Sequence, residues 1–323
     1  MNTLLLIAAI PISFFLHIFI HELGHLVAGK MSGYGFVSFR IFSLTLVKIN
    51  GKLRFKKYQL PGTGGQCLMS PPPLKNGRFP FILYNLGGGL LNILFSLAAI
   101  GLLIFVVTGV VQHILVVFAF IGLFLGLMNV IPLKIDGIAN DGRNIGYLMQ
   151  DKKTQDVFWT MMQMIALLTS GVRLRDMPSE WFEVDMDNDF SDSIVAATFL
   201  YRLYLLLDKG EIERAQEYSL SIAQNPKKMH SIYQNEIKIE AMFLEQIGEA
   251  RPEIINQLNT ESLRKYIKAS KLMPARQRLM YALTKDPIHK SNFEKACEAY
   301  PILGTIAYEK ELFALVDEED KHD

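Results

Sequence analysis

Charged residues are missing from one long part of this chain. Between Phe79 and Leu133 the sequence has no Asp, Glu, Lys or Arg, although charged residues make up 20% of its 323 positions. The chain after about residue 171 is as charged as an ordinary soluble protein, and the formal net charge is only +1. This uneven distribution predicts a membrane-embedded part followed by a soluble part.

Cysteine is almost absent as well. Cys67 and Cys297 are the only two, and they lie in segments of different character. Two isolated thiols exclude a disulfide framework and suit a reducing compartment. The soluble part also lacks the clusters of basic and aromatic residues that are typical of nucleic-acid-binding modules, so we expect no nucleic-acid partner.

Three segments are long and apolar enough to cross a bilayer, which takes about 20 residues. We predict spans at about Thr3–Ala28, Phe79–Thr108 and Val111–Ile131, with a tight turn around Gly109 between the last two. The first segment has no basic start and no small-x-small cleavage site, so it is interpreted as a retained span rather than a signal peptide.

The distribution of positive charge predicts the orientation of these spans. The segment from Lys30 to Arg78 has nine Lys or Arg and no acidic residue, which places it in the cytoplasm. The N-terminus then lies outside, and everything after Leu133 lies inside. We therefore predict a multi-pass protein of the cell membrane with a cytoplasmic C-terminal domain.

A β-hairpin is predicted between the first two spans. Apolar and polar residues alternate through residues 36–60, on both sides of the Asn50-Gly51 dipeptide that favours a type I′ turn. The following PGTGGQCLMSPPP is predicted to be a loop. It is not a phosphate cradle, because no Lys-Ser/Thr and no helix follow its glycines.

The remainder of the chain is predicted to be helical. NDGRNIGYLMQ predicts a short helix capped by Asn140 or Asp141, TQDVFWTMMQMIALLTS a packed helix too short to span, and SEWFEVDMDNDFSD a linker. From Ser191 onward the apolar residues recur with helical periodicity. The predicted helices cover 191–208, 211–224, 230–247, 260–272, 275–285, 291–299 and 303–317.

The C-terminal helices resemble a known kind of repeat. YLLLDKGEIERAQEYSLSIA resembles the helix–Gly–helix junction of tetratricopeptide repeats, which stack to bury their apolar faces and serve as scaffolds for protein partners. The predicted fold is mostly α: a polytopic membrane protein with three core transmembrane helices and a β-hairpin insertion, followed by a soluble all-α, helical-repeat-like domain. The predicted domains are 1–150, 151–190 (connecting helix and linker) and 191–323.

The motif HELGH places His21, Glu22 and His25 at the inner end of the first span. Two histidines four residues apart share one helix face and can bind one zinc ion, while the glutamate can reach a water on that metal. In a soluble helix, two hydrogen-bonded histidines and a solvated glutamate would be an equally good interpretation. Within a membrane span, unsatisfied polar groups are costly, and this favours a metal site.

A catalytic zinc needs a third protein ligand and an open position. The third span ends in MNVIPLKIDGIANDGRNI, which carries Asp136 and Asp141 on the same side of the membrane as HELGH. His17 lies one turn before His21, but three ligands on successive turns of one helix would spread over about 12 Å, too far for one ion. We therefore expect His17 to have a supporting role in the bundle interior.

Three motifs together resemble the site-2 protease family of intramembrane zinc metalloproteases. They are HELGH on the first core helix, NLGGGLLN on the second, and NxxP followed by DG at the end of the third. The resemblance covers roughly residues 1–150. It implies a zinc-dependent endopeptidase that acts on membrane proteins or signal-peptide remnants.

The resemblance also implies residue roles. His21, His25 and the aspartate of a DG motif would bind Zn²⁺, and Glu22 would be the general base. The family's spacing from NxxP leads near Asp136, whereas the arginine and amphipathic helix that follow favour Asp141. Asp141 is the preferred third ligand.

Two asparagines of these motifs have alternative interpretations. The resemblance places Asn129 of NxxP near the substrate backbone or the developing oxyanion, which makes it a candidate substrate-binding residue. Both Asn129 and Asn92 could instead make polar contacts between transmembrane helices. The glycines at 87–89 are expected to allow close helix approach.

Two further functional classes compete with the protease hypothesis. A non-catalytic membrane scaffold could gather partners or a regulator on its helical domain, but the motif has lost neither ligand nor base. A transporter would use histidines along a path, whereas here the polar groups gather at one end. The hairpin could offer an edge strand to a substrate, or touch lipid headgroups through Lys56 and Lys57.

Overall fold

The computed structural model describes residues 2–58, 63–105, 109–135, 138–184, 193–224 and 229–319. Most of these residues are helical, as predicted. The chain divides into two units, one made of residues 1–46 and 63–162 and the other of residues 47–62 and 163–323.

The elements up to residue 148 combine long helices with short strands. In chain order they are α1 (Asn2–Met31), β1 (Gly35–Ile41), β2 (Leu44–Ile49), β3 (Lys52–Lys57), β4 (Gly65–Ser70), α2 (Phe81–Leu103), α3 (Val110–Val130), β5 (Lys134–Ile135), β6 (Ile138–Ala139) and α4 (Asp141–Leu148).

Three of these helices are long and apolar enough to cross a membrane. These segments are Ile7–Met31, Phe81–Leu103 and Val110–Val130. In the most apolar 18-residue stretch of each segment, only 17–33% of the residues are buried within the protein. Each corresponds to one predicted span. The predicted second span reaches Thr108, but α2 ends at Leu103, and residues 106–108 lie outside the described residues.

Glycines bring the three long helices close together. A Cβ on Gly24 of α1 would lie 2.2 Å from the Gly87 carbonyl oxygen of α2. A Cβ on Gly89 of α2 would lie 3.0 Å from the Gly126 carbonyl oxygen of α3. The helix backbones therefore meet directly, as small residues permit in membrane bundles.

The four strands β1–β4 form one sheet in the order β3-β2-β1-β4. The predicted hairpin is confirmed at its turn: β2 and β3 pair on either side of Asn50 and Gly51, which take the positive φ angles (49° and 76°) that a type I′ turn requires. Its first arm was predicted as one strand from residue 36, but the structure has two there, β1 and β2, and residues 59–60 of the second arm lie outside the described residues. The prediction of a loop over PGTGGQCLMSPPP was wrong in its centre. Gly65–Ser70 is strand β4, because antiparallel pairing with β1 overrides the local glycine and proline signals.

The remaining elements are helical. They are α5 (Lys152–Ser170), α6 (Ser193–Asp208), α7 (Ile212–Gln224), α8 (Ser231–Gln246), α9 (Pro252–Leu258), α10 (Glu261–Ala269), α11 (Pro274–Thr284), α12 (Pro287–Ala299) and α13 (Leu303–Glu319), with short 3-10 turns at 174–176 and 179–182. Helix α9 was not predicted, and the other predicted C-terminal helices agree within a few residues. Residues 191–192, the start of the predicted helix 191–208, lie outside the described residues.

The interior of the second unit contains charged groups as well as apolar ones. Phe199, Leu203 and Phe243 are fully buried. Arg276 and Arg278 are equally buried, and each forms ion pairs with glutamates of neighbouring helices. Both cysteines of the chain are buried free thiols.

Candidate metal centre

Three side chains from two distant parts of the sequence meet near the C-terminal end of α1. The Nε2 atoms of His21 and His25 lie 3.1 Å apart. Each lies 3.3 Å from the Oδ2 atom of Asp141, at the start of α4. The structure therefore brings together the two histidines of HELGH and the preferred aspartate.

The spacing of these atoms suits a tetrahedral zinc. Ligand atoms about 2.0–2.1 Å from such an ion lie about 3.3 Å from one another. The three measured edges, 3.1, 3.3 and 3.3 Å, match one face of that tetrahedron. A fourth position, opposite that face, is left for water or substrate.

The hydrogen bonding of the ligands also fits a metal. The Nδ1 atom of His25 lies 2.8 Å from the carbonyl oxygen of Tyr84, so Nδ1 carries the proton and the Nε2 lone pair is free to bind. Among the described residues, His21 Nδ1 and Asp141 Oδ2 are buried without a hydrogen-bond partner. Because buried polar atoms are nearly always satisfied, the carboxylate oxygen lacks the partner that an ion would supply.

The charge state of Asp141 suits a ligand. Burial would raise the pKa of this carboxyl, but the rings of His21 and His25, each 3.3 Å from its Oδ2 atom, outweigh that effect. The pKa therefore lies well below its ordinary value. Asp141 is held as a carboxylate, the form that binds metal ions.

The side chain of Asn140 positions the aspartate, because its hydrogen bonds link the end of α3 to the start of α4. Its Oδ1 accepts from the backbone N–H of Arg143, which makes it the N-cap of α4, and also from that of Leu133. Its Nδ2 donates to the carbonyl oxygens of Met128 and Ile131. Asp141 is consequently the first residue of a helix whose position is set by four hydrogen bonds.

Two glycines leave room for this arrangement. A Cβ on Gly142 would lie 2.2 Å from the Val130 carbonyl oxygen, so only glycine lets α4 approach α3 so closely. A Cβ on Gly88 of α2 would lie 2.6 Å from His25 Nε2 and 2.5 Å from His21 Cε1. Gly142 of the DG motif is thus explained by the close approach of α4 to α3, and Gly88 by the space that the two histidine rings occupy.

Glu22 lies beside the cluster and against strand β4. It is 7% exposed and interacts electrostatically with both histidines and Asp141. Its carboxylate accepts a hydrogen bond from the backbone N–H of Cys67. A Cβ on Gly65 would lie 2.6 Å from Glu22 Oε1, so the beginning of β4 packs directly on the carboxylate.

The other predicted residues lie elsewhere. The Asn129 side chain donates to the Leu125 carbonyl oxygen of its own helix, and its role in substrate binding stays a prediction. His17 is fully buried between the helices, with Nδ1 3.1 Å from Asn92 Oδ1 and Nε2 3.0 Å from the Phe118 carbonyl oxygen. Asp136, the alternative third ligand, lies outside the described residues.

Tyr84 and the cap Asn140 were not singled out as site residues from the sequence. Asn140 carried a local signal, because an asparagine before a short helix is a typical N-cap. Tyr84 carried none, because its contribution to His25 comes from a main-chain carbonyl that any residue type would provide.

The motifs and the geometry stand without support from known proteins. No protein-family model matches the sequence, and no match was found among the curated proteins or the solved structures.

Proposed function

We propose that this protein is a zinc-dependent intramembrane endopeptidase that hydrolyses peptide bonds in or near transmembrane segments. The observation that carries the proposal is the convergence of His21 Nε2, His25 Nε2 and Asp141 Oδ2 with the edge lengths of a zinc tetrahedron. These three residues form the only group of three or more potential metal ligands found among the described residues. The two histidines lie in the C-terminal half of a helix long enough to span a bilayer.

Each residue then has a defined role. Zinc bound by His21, His25 and Asp141 would polarise the scissile carbonyl and lower the pKa of a bound water toward about 7. Glu22, held beside the cluster, is the general base that takes the proton of the attacking water. Tyr84 fixes the His25 tautomer through its main-chain carbonyl.

The surroundings support a membrane-protein substrate. The outer faces of the three long helices expose large apolar side chains such as Ile7 (62%), Leu94 (60%) and Phe120 (70%), as expected in lipid. We infer a multi-pass protein with a cytoplasmic C-terminal domain, from the positive charge between α1 and α2. The substrates are single-span proteins or signal-peptide remnants, and the helical domain is the place for a protein regulator.

The test combines metal content with cleavage. Protein purified in detergent is assayed for zinc per chain, then reconstituted with single-span reporter proteins of different sequence. We expect about one zinc per chain and cleavage of at least one reporter. A Glu22→Gln variant should retain the zinc and lose cleavage by a factor of about 100 or more, because only the base is removed.

The same experiment separates the protease from the scaffold hypothesis. Zinc-free wild-type protein, prepared without chelators, would refute the metal site. Zinc-loaded protein that cuts no reporter at a rate above Glu22→Gln would refute the peptidase and favour a membrane-anchored scaffold. Removal of zinc by a chelator and recovery of cleavage on adding it back would complete the positive case.

A further inference from the structure

Strand β4 lies at the end of the sheet, and one of its residues has both main-chain groups engaged on the side away from β1. The backbone N–H of Cys67 donates to the Glu22 carboxylate. The carbonyl oxygen of Cys67 accepts from the Tyr84 hydroxyl at 2.9 Å. Main-chain groups alternate in direction along a strand. The N–H and carbonyl groups of Cys67, which lies opposite Phe39, therefore point away from β1, and those of Gln66 and Leu68, on either side of Cys67, point toward β1.

Tyr84 makes a second contact with the site from its other end. Its main-chain carbonyl oxygen lies 2.8 Å from His25 Nδ1, while its hydroxyl reaches β4. The side chain between them is buried, and its ring stacks on Tyr34 with centroids 4.7 Å apart. One residue of α2 is therefore bonded both to a zinc ligand and to the strand that holds the general base.

The start of β4 is anchored independently. The guanidinium of Arg40 on β1, which is 2% exposed, donates to the Thr63 hydroxyl and to the Gly65 carbonyl oxygen. Gly65 is the residue on which the Glu22 carboxylate packs. The strand is thus held before Cys67 by Arg40 and at Cys67 by Tyr84.

We infer that Tyr84 is a positioning residue that couples the general base to the metal site: its hydroxyl holds the Cys67 peptide, whose N–H orients Glu22, and its carbonyl orients His25. The catalytic part of this inference, that Glu22 is a general base beside a zinc site, rests on the proposed function. The chain of bonds itself, from His25 through Tyr84 and Cys67 to Glu22, can be measured without any activity.

The first experiment measures amide exchange at Cys67 in the full-length protein in detergent, resolved by residue. In the wild type, we expect the Cys67 amide to be protected although it lies on the outer edge. In Glu22→Ala its exchange should accelerate about 5- to 10-fold, the factor that one net hydrogen bond represents. The Gln66 and Leu68 amides, which face β1, serve as internal references and should not change.

The second experiment removes only the hydroxyl. Tyr84→Phe should also accelerate exchange at Cys67, because the peptide loses its anchor. The matched control is Tyr34→Phe, which loses a tyrosine hydroxyl that donates to the Pro80 carbonyl oxygen at 3.2 Å rather than to β4. An unprotected Cys67 amide in the wild type, or equal exchange in the two tyrosine variants, would overturn the inference.

The kinetic consequence distinguishes positioning from a merely structural role. In Tyr84→Phe, the main-chain bond to His25 is kept, so zinc content and melting temperature should match those of Tyr34→Phe. Turnover of a reporter that the wild type cleaves should fall about 10- to 100-fold in kcat with KM unchanged. A parallel loss of zinc, melting temperature and kcat would show that the hydroxyl only stabilises the fold.

Failure of the proposed function would look different. If the wild-type protein binds no zinc and cuts no reporter, Tyr84 has no catalytic role, and kcat cannot be compared between the variants. The exchange rates at Cys67 would still show whether Tyr84 and Glu22 hold this peptide. Normal zinc and cleavage with no change in either exchange or kcat in Tyr84→Phe would refute the coupling alone.

Discussion

Buried charges in the second unit are matched by partners within the chain. Arg276 pairs with Glu236 through two hydrogen bonds. Arg278 donates to Glu240 at 2.7 Å and to Glu309 at 2.8 Å. In each of these pairs a guanidinium donor faces a carboxylate acceptor. Only Arg278 Nη1 and Glu240 Oε1 of these side chains have no hydrogen-bond partner among the described residues.

The buried polar groups at the end of α1 are arranged differently. Two ring nitrogens and a carboxylate oxygen, from His21, His25 and Asp141, point at one another and lie within 3.3 Å of each other. Lone pairs that converge in this way repel unless a proton or a metal ion sits among them. A network of matched pairs stabilises a fold by itself, whereas convergent acceptors indicate a site for a cation.

Replacing Asp141 by Ala should have the largest effect, because it removes one of three protein ligands. We expect zinc to fall from about one per chain to less than about 0.1, with cleavage lost. Metal analysis after gel filtration in detergent measures it. Asp136→Ala is the control and should retain the metal. The reverse pattern, with zinc lost only in Asp136→Ala, would show that the wrong aspartate was preferred.

Replacing Arg278 by Ala should produce the largest loss of stability. It leaves Glu240 and Glu309 buried without their cation, which typically costs about 3–5 kcal/mol and would lower the melting temperature by about 6–20 °C. Scanning calorimetry of the full chain in detergent measures the shift.

A matched control for this prediction is an exposed ion pair. Lys265 and Glu261 are 2.8 Å apart, with side chains 77% and 74% exposed. Lys265→Ala should change the melting temperature by less than about 4 °C, since such pairs contribute about 0–1 kcal/mol. Similar shifts in Arg278→Ala and Lys265→Ala would contradict the idea that burial makes the arginine network important.

The sequence predicted that His21, His25 and Asp141 come together, because the signals for this are local. The i, i+4 histidines of α1 need only a helix to converge, and the aspartate follows a capping asparagine at the start of α4. The choice between Asp141 and Asp136 was harder, because spacing along the chain does not tell which aspartate begins the helix. In the folded chain, the hydrogen bonds of Asn140 to the carbonyl oxygens of Met128 and Ile131 place the start of α4, and with it Asp141, beside α3, while Asp136 lies outside the described residues.

Strand β4 and the role of Tyr84 were beyond sequence reasoning. The segment around Gly65 reads as a loop, and only pairing with β1 turns it into a strand. The contact between Cys67 and Glu22 joins residues 45 positions apart through a main-chain N–H, which carries no residue-type signal. Long-range main-chain contacts of this kind depend on tertiary packing alone.

Two glycines of helix α4 provide a test of how tightly Asp141 is placed. A Cβ on Gly142 would meet the Val130 backbone at 2.2 Å, while a Cβ on Gly146 would meet nothing within 4 Å. We expect Gly142→Ala to displace Asp141 and weaken zinc binding about 10- to 100-fold, measured by competition with a chromogenic chelator.

The same substitution at Gly146 should leave zinc affinity unchanged. It should also raise stability slightly, by about 0.5–1 kcal/mol, because alanine favours the helix. Equal zinc affinities in the two variants would mean that α4 can shift without moving its aspartate out of the cluster.

The smallest expected effect concerns a carboxylate of the second unit that is satisfied by its neighbours. Glu245 accepts hydrogen bonds from Arg251 and Gln216, and those from Arg251 outweigh burial and hold the pKa of Glu245 below its ordinary value of 4.5. A carboxyl whose pKa is lowered by folding stabilises the folded state above the unfolded pKa. That contribution is lost as the pH falls from about 4.5 through the folded pKa.

Glu245→Gln removes this titration and keeps the size of the side chain. The melting temperature of the full chain should therefore be lower in the variant than in the wild type at pH 7, with a difference that shrinks as the pH falls below 4.5. Glu249→Gln is the control, because Glu249 is 68% exposed although it lies 3.2 Å from Arg251. A difference that stays constant with pH would show that Glu245 stabilises the fold through its shape rather than its charge. The carboxylate of Asp141 is different, because the proposed zinc site requires its charge.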